Sequence, residues 1–226
     1  MRDQHPPITI LYEDNHLLGV YKQGGWLVQG DRTGDITMLD MAKSYLKEKY
    51  KKPGDVFLGL VHRLDRPVSG VLLFARTSKA ASRLANEFRL RRTEKTYLAV
   101  VLGKVHDAAG ELAGYIERTH LRSRLASGPS EKAKEARLTF TRVAVREQMS
   151  LLKVLPVTGR HHQIRVQLSN LGYPVVGDLK YGAKSPLEDK TIALHASRLV
   201  VKHPIKDEYV TLQSPPPPGF PWDTFD

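Results

Sequence analysis

The chain contains no cysteine among its 226 residues. That excludes disulfides, thiolate nucleophiles and cysteine-ligated zinc or iron–sulfur centres. Long apolar runs are also missing, and no window approaches the ~18 continuous apolar residues of a membrane span. Residues Met1 to Pro7 are polar, which does not fit a secretory signal. No Gly-rich phosphate loop, Gly-x-Ser-x-Gly elbow or His-x-x-x-His pair with a Glu base occurs, so nucleotide binding, serine hydrolysis and zincin chemistry lack their usual marks. Acidic residues are scarce beside basic ones, 24 Asp and Glu against 35 Lys and Arg, for a net charge of +11. A balance of that sign favours a polyanionic partner such as nucleic acid without choosing RNA over DNA. The expectation is a soluble cytoplasmic protein, and a monomer.

A hydrophobic fraction of 41% is enough for a core. The length allows one large domain or two small ones, and with no internal repeat or clean linker one is expected. Residues 8 to 30 read as two short strands and a turn. Met38, Leu39, Ala42, Tyr45 and Leu46 recur at helical spacing between Asp35 and Lys49, ahead of Pro53-Gly54. Ser78 can cap a second helix in which Ala80, Leu84 and Phe88 share a face. Lys95 to Leu102, Leu138 to Val145 and Leu151 to Val157 read as strands, the last two paired. Ile164, Leu168 and Leu171 mark the apolar stripe of a third helix within Gly159 to Gly172, with Arg165 at its edge. Residues 104 to 137 are the least patterned, with seven basic side chains, and suit either a solvated hairpin or loop or an RNA-gripping insertion. The prolines from Pro215 to Pro218 predict an extended tail. Short strands with about three helices argue for an α+β class.

The densest cluster of chemistry is His62-Arg63-Leu64-Asp65-Arg66-Pro67-Val68-Ser69-Gly70, a turn between the apolar runs Val56 to Val61 and Val71 to Ala75. A lone carboxylate between Arg63 and Arg66 stays ionised, because adjacent positive charge favours the charged form. Such a group suits nucleophilic or electrostatic work; it also suits a structural turn Asp paired with Arg.

His62-Arg63-Leu64-Asp65 with Ser69-Gly70 resembles the signature of the RluA-type pseudouridine synthases. Further blocks resemble that family in its order. They are Lys95-Thr96-Tyr97 with Gly103, Gly159 to Val166 with Gly177-Asp178 and Tyr181-Gly182, and Leu194-His195-Ala196 with Leu199 and His203-Pro204. Ile10 to Asn15 fits the family's first strand. The resemblance covers about residues 8 to 218, taken as the catalytic domain, with 219–226 as a C-terminal tail and no separate N-terminal RNA-binding module. Two positions depart from the pattern: Pro67-Val68 replaces a variable residue and Thr, and Gln167 stands where His is common.

The resemblance implies a mixed, mostly antiparallel sheet of about eight strands, flanking helices and a basic central cleft. It implies isomerisation of uridine to pseudouridine in an rRNA or tRNA stem-loop, without cofactor or metal. Asp65 would be the catalytic carboxylate, and attack on the anomeric carbon, attack on the base and abstraction of a sugar proton all stay open for it. Tyr97 would stack on the uracil, Arg165 would partner Asp65, and Arg63 would fill the space left by the flipped nucleotide. Arg66, Lys95, Arg160, His162, Gln163 and Ile164 complete the expected substrate-binding set. Two other classes of function compete: an RNA-binding protein that has lost its chemistry, and a glycosylase that uses Asp65 to release the base.

Overall fold

A computed structural model describes residues 7–120 and 122–225. Residues 1–6 of the polar N-terminal segment, Leu121 of the 104–137 region and the final Asp226 of the tail lie outside them. In chain order the described residues form β1 (Thr9–Glu13), β2 (Leu17–Lys22), α1 (Met38–Lys49), β3 (Gly59–Leu60), β4 (Ser69–Ala75) and α2 (Ser78–Arg89). There follow β5 (Glu94–Leu102), β6 (Ala109–Arg118), β7 (Ser123–Ala126), β8 (Ala133–Arg146) and β9 (Met149–Pro156). The chain ends with α3 (Gln163–Asn170), β10 (Leu194–Lys202) and β11 (Tyr209–Gln213). The class is α+β with a mixed sheet, as the composition of elements suggests, but with eleven strands where about eight were expected.

Two compact units divide the chain, and β10 contributes its first four residues to one and the rest to the other. The first unit comprises residues 7–94 and 198–215. Here β2 pairs antiparallel with both β1 and β4, and β11 pairs antiparallel with β10. All seven residues of β4 are buried, which explains its unbroken apolar sequence. Leu17, Val71, Leu73, Ala80, Leu84 and Leu199 form a core on which Phe88 packs. A Cβ at Gly59 would come within 2.6 Å of the Ala81 side chain, so only glycine lets β3 approach α2 this closely.

Helix α1 begins later than Asp35 because Thr37 and Asp40 form a capping box, each side chain accepting from the other's backbone N–H. Helix α2 is capped by Thr77, whose hydroxyl accepts from the Ala80 N–H at 3.2 Å; the expected cap, Ser78, is its first helical residue. The apolar run Val56 to Val61 supplies a strand of only two residues, and Phe57 is half exposed.

The second unit comprises Lys95–Ser197 and 216–225. Its antiparallel pairings run β5 with β9, β9 with β8, β8 with β6, and β6 with β7. The region that looked least patterned is therefore largely sheet. Its middle strand β6 has only partial burial and carries Gly110 and Gly114, which hides the alternation that marks a strand. Helix α3 differs from the expected stripe. Gln163 through Leu168 are all buried, whereas Leu171 is the half-exposed C-cap. Trp222, in a 3-10 turn of the tail, is buried too, with its ring edge toward His195. No helix among the described residues is long and apolar enough to cross a membrane.

Candidate active site

In the first unit, the Asp65 turn is built between two apolar anchors. Leu64 and Val68 are buried, Asp65 is half-buried, and Arg63 and Arg66 are exposed. The Val68 N–H closes the turn on the Asp65 carbonyl at 3.0 Å. Val68 thus supplies a backbone donor and an apolar side chain, neither of which depends on the hydroxyl that Thr would bring. Arg66 is tethered: its Nε donates to Gly25 O at 2.9 Å, and its guanidinium meets Asp35 at 2.7 Å. Ahead of the turn, His62 accepts the Leu73 N–H at its Nε2, 2.9 Å away, and stacks on Phe88. A ring nitrogen that accepts from a backbone amide is unprotonated, so His62 stands there as a neutral structural anchor.

A residue absent from the expected set lies beneath this turn. Lys22, at the end of β2, has no exposed surface. Its Nζ donates to the carbonyls of Val68 at 2.6 Å, Arg66 at 3.0 Å and Gln23 at 3.3 Å.

In the second unit, Tyr97 is half-buried in β5, opposite Val154 of β9. Lys95, two residues earlier, reaches the turn at Gly159, where a Cβ would lie 3.9 Å from its Nζ. Arg165 is buried in α3 and grips Asp178 with two parallel bonds, Nε to Oδ2 at 2.7 Å and Nη2 to Oδ1 at 2.8 Å. Its guanidinium also stands 5.1 Å from the centre of the Tyr181 ring, within cation–π range. The Tyr181 hydroxyl in turn meets His162 Nδ1 at 2.7 Å and accepts the Ser123 N–H at 2.8 Å. Ser123 Oγ donates to the carbonyl of His161 at 2.7 Å, and the His161 and His162 rings stack. His162 occupies the left-handed region, φ 55°, as the N-cap of α3.

Gln163, Ile164 and Arg160 take scaffold positions. The Gln163 Oε1 accepts from Thr158 Oγ1 at 2.7 Å and from the Arg160 N–H at 3.0 Å, while its Nε2 donates to Arg137 O at 3.0 Å. Arg160 Nε donates to Glu135 O at 2.7 Å, and Ile164 is buried. Gln167 is buried as well, with Nε2 donating to Leu112 O at 3.0 Å. The structure thus joins Arg165 and His162 through Asp178 and Tyr181, and it joins Arg66 to the Asp65 turn. Asp178 and Tyr181 were part of a recognised motif, but their spacing alone did not pair them with α3.

Residues 16–170 match the sequence model of a family described as RNA pseudouridylate synthase. The dual-specificity RNA pseudouridine synthase RluA of Haemophilus influenzae is 33% identical over 92% of this chain and 93% of its own length. The ribosomal large subunit pseudouridine synthase C of Vibrio parahaemolyticus is 31% identical over 91% of this chain. The chain spans 65% of that relative, and 58% of the tRNA pseudouridine synthase C of Pectobacterium carotovorum. Among solved structures, human RNA pseudouridylate synthase domain containing 1 superposes with a TM-score of 0.74 at 29% identity, covering 93% of this chain and 84% of that one.

Proposed function

Because the chain belongs to the RNA pseudouridylate synthase family, we propose that it isomerises uridine to pseudouridine in structured rRNA or tRNA, with Asp65 as the catalytic carboxylate. The names of its relatives support that substrate class: one acts on the large ribosomal subunit, one on tRNA, and one has dual specificity. The observation that carries the reading is the Asp65 turn. A single half-buried carboxylate stands there on a turn that the Val68 N–H closes through the Asp65 backbone carbonyl, between two buried apolar anchors and with an arginine on either side.

The reaction breaks the bond from ribose C1′ to uracil N1 and forms one from C1′ to C5. C5 loses its proton and N1 gains one, so substrate and product are isomers. No electron or phosphoryl group changes hands, and side chains alone can carry such a rearrangement. A carboxylate suits the sugar, where positive charge develops as the glycosidic bond weakens. The target bond is hidden in a stacked RNA loop, so the base must be extruded at a cost of roughly a few kcal/mol. Arg63 is exposed beside the buried Leu64, which suits a cation that fills the vacated space. Half-buried Tyr97 offers a ring face for the extruded uracil. Arg165, locked by Asp178, gives a fixed positive charge in place of a mobile one, and Lys95 reaching the Gly159 turn adds a second cation. In this reading Gln163, Ile164, His162 and Arg160 serve the substrate by fixing the frame of α3 and the preceding turn.

Incubation of the purified protein with rRNA and tRNA carrying 5-tritiated uridine tests this. Tritium should appear in water with no free uracil. Release of free uracil would mean a glycosylase, and binding of RNA with no tritium release would mean a protein that only binds.

A further inference from the structure

Helix α2 carries a charge that its own packing does not use. From Ser78 to Arg92 the chain holds five basic residues, Lys79, Arg83, Arg89, Arg91 and Arg92, and one acidic residue, Glu87. All five are exposed, while Ala80 and Leu84 on the opposite side are buried in the core of the first unit. Lys79, Arg83, Asn86 and Arg89 follow one another at steps of three or four residues, so they line one face of the helix. Helix stability does not account for this pattern. A cation suits the last turn, where Arg89 sits, but Lys79 stands in the first turn, where the helix dipole disfavours it. Ion pairing leaves most of the charge in place. Arg83 donates to the Pro204 carbonyl at 2.5 Å and Arg89 to the Asn86 amide oxygen at 2.6 Å, both neutral acceptors, and Arg92 meets Glu87 only at 3.6 Å. The carboxylates that begin β5 and line the β10–β11 turn are held by other cations: Glu94 by Arg198, Asp207 by Lys202 and Glu208 by Lys206.

Two further features give this charge a place and a direction. A cavity of about 250 Å³ opens between α2 and the end of β10, with Arg83, Asn86 and Glu87 on one side and Lys202, His203 and Pro204 on the other. The Pro204 carbonyl fixes the Arg83 guanidinium at its wall, and a guanidinium has five N–H donors, so a second acceptor can be taken there. At the other end of the helix Phe88 stacks on His62, ring centres 5.1 Å apart, which sets that end beside the segment leading into the Asp65 turn. Four of the five cations are arginines, whose planar fork matches pairs of phosphate oxygens.

We propose, resting on the reading of the substrate as structured RNA, that the exposed face of α2 is a second RNA-binding surface, which holds the sugar–phosphate backbone outside the target nucleotide. It extends from the Arg92 end, next to the Asp65 turn, to the Arg83 cavity and beyond to Lys79, along a helix about 18 Å long. Phosphate contacts position without reading bases, so this surface aligns the RNA and leaves the choice of target to contacts made elsewhere.

The triple variant Arg83→Gln, Arg89→Gln, Arg92→Gln tests this, with folding checked by its thermal melt; Gln has nearly the helix propensity of Arg. Binding of unmodified tRNA and large-subunit rRNA transcripts is measured across a salt series. The slope of log Kd against log salt should fall by about 2, three contacts at roughly 0.7 each. With the wild-type and variant lines meeting near 1 M, Kd at 0.1 M salt should rise roughly 100-fold. A control, Lys47→Gln, Lys52→Gln, Arg146→Gln, removes the same charge from other exposed positions and should keep most of the slope. An unchanged slope in the α2 variant would overturn the proposal and leave a solvated face. An equal loss in the control would overturn it too, because net charge alone would then explain the binding. Should the triple variant fail to fold, Arg83→Gln and Arg92→Gln singly should each lower the slope by about 0.7, and no change in either refutes the surface. A wild type that binds these transcripts with the steep slope yet releases no tritium would instead refute the assigned reaction, so the two failures are distinguishable.

Discussion

Arg165→Ala should be among the most damaging single substitutions in the chain, and its cost can be worked from the Arg165–Asp178 pair. Both side chains are essentially inaccessible, with 5% and 1% of their surface exposed. They share two charge-assisted bonds of 2.7 and 2.8 Å. Removing the guanidinium leaves the Asp178 carboxylate buried and uncompensated, which costs about 3–5 kcal/mol. With a urea dependence of about 2 kcal/mol per molar, the unfolding midpoint drops by roughly 2 M. Lysine in place of Arg165 retains the charge and loses the fork, so Arg165→Lys should cost about 1.5–3 kcal/mol, the worth of a bond to a charged group. The double variant Arg165→Met, Asp178→Leu strands no charge. It should recover most of the stability lost in the single variant, because apolar replacement of a buried pair is often neutral. It should nevertheless be inactive, since the proposed site loses its fixed cation. Urea denaturation of the wild type, Arg165→Ala, Arg165→Lys, Asp178→Leu and the double variant, with tritium release beside it, measures both effects. If the double variant is as unstable as the sum of Arg165→Ala and Asp178→Leu, the stranded-charge reasoning is wrong.

Stability should also fall in acid through Glu13. Burial would push its carboxyl up, but hydrogen bonds from Lys49, Tyr50 and Tyr45 bring it down to about 2 from 4.5. A depressed carboxyl stabilises the folded state above its unfolded value, so this contribution is complete above about pH 5 and is lost as pH falls toward 2. Melting across that window should show a loss of roughly 1–3 kcal/mol, and Glu13→Gln should remove it; an identical acid limb in the variant would refute the link. The exposed cations Arg122, Arg124 and Lys132 test the charge. If they grip RNA, neutralising all three should flatten the salt dependence of binding, by about 0.7 log units per tenfold salt for each contact. Arg124 is already paired with Glu117 at 3.0 Å, an exposed contact that RNA phosphate can replace at little cost. An unchanged slope would make this hairpin a solvated surface.

The sequence made some parts of this architecture visible and hid others for physical reasons. Helices α1 and α2 were legible because each buries one stripe and leaves the other side in water. Their starts were misplaced by one to three residues, since neighbouring Ser, Thr and Asp are all competent caps and only backbone geometry selects Thr37 and Thr77. Helix α3 defeats periodicity because Gln163, Arg165 and Gln167 are buried among polar partners far along the chain. Strand β11 was not anticipated. The Asp65 turn was readable as a motif, its surrounding restraints were not. A lysine closing an apolar strand reads as the point where the chain meets water, yet Lys22 turns inward, where its Nζ meets the Val68 and Arg66 carbonyls of the Asp65 turn. The Arg165–Asp178 partnership spans 13 residues with a turn between, a separation that no local pattern encodes.

The central claim is that Asp65 performs the isomerisation, and Asp65→Asn tests it most directly. The substitution preserves size and removes charge and nucleophilicity. The variant should melt close to the wild type and bind the same rRNA or tRNA, while tritium release from 5-tritiated uridine falls below detection. Substantial tritium release by the folded Asn variant would contradict the account.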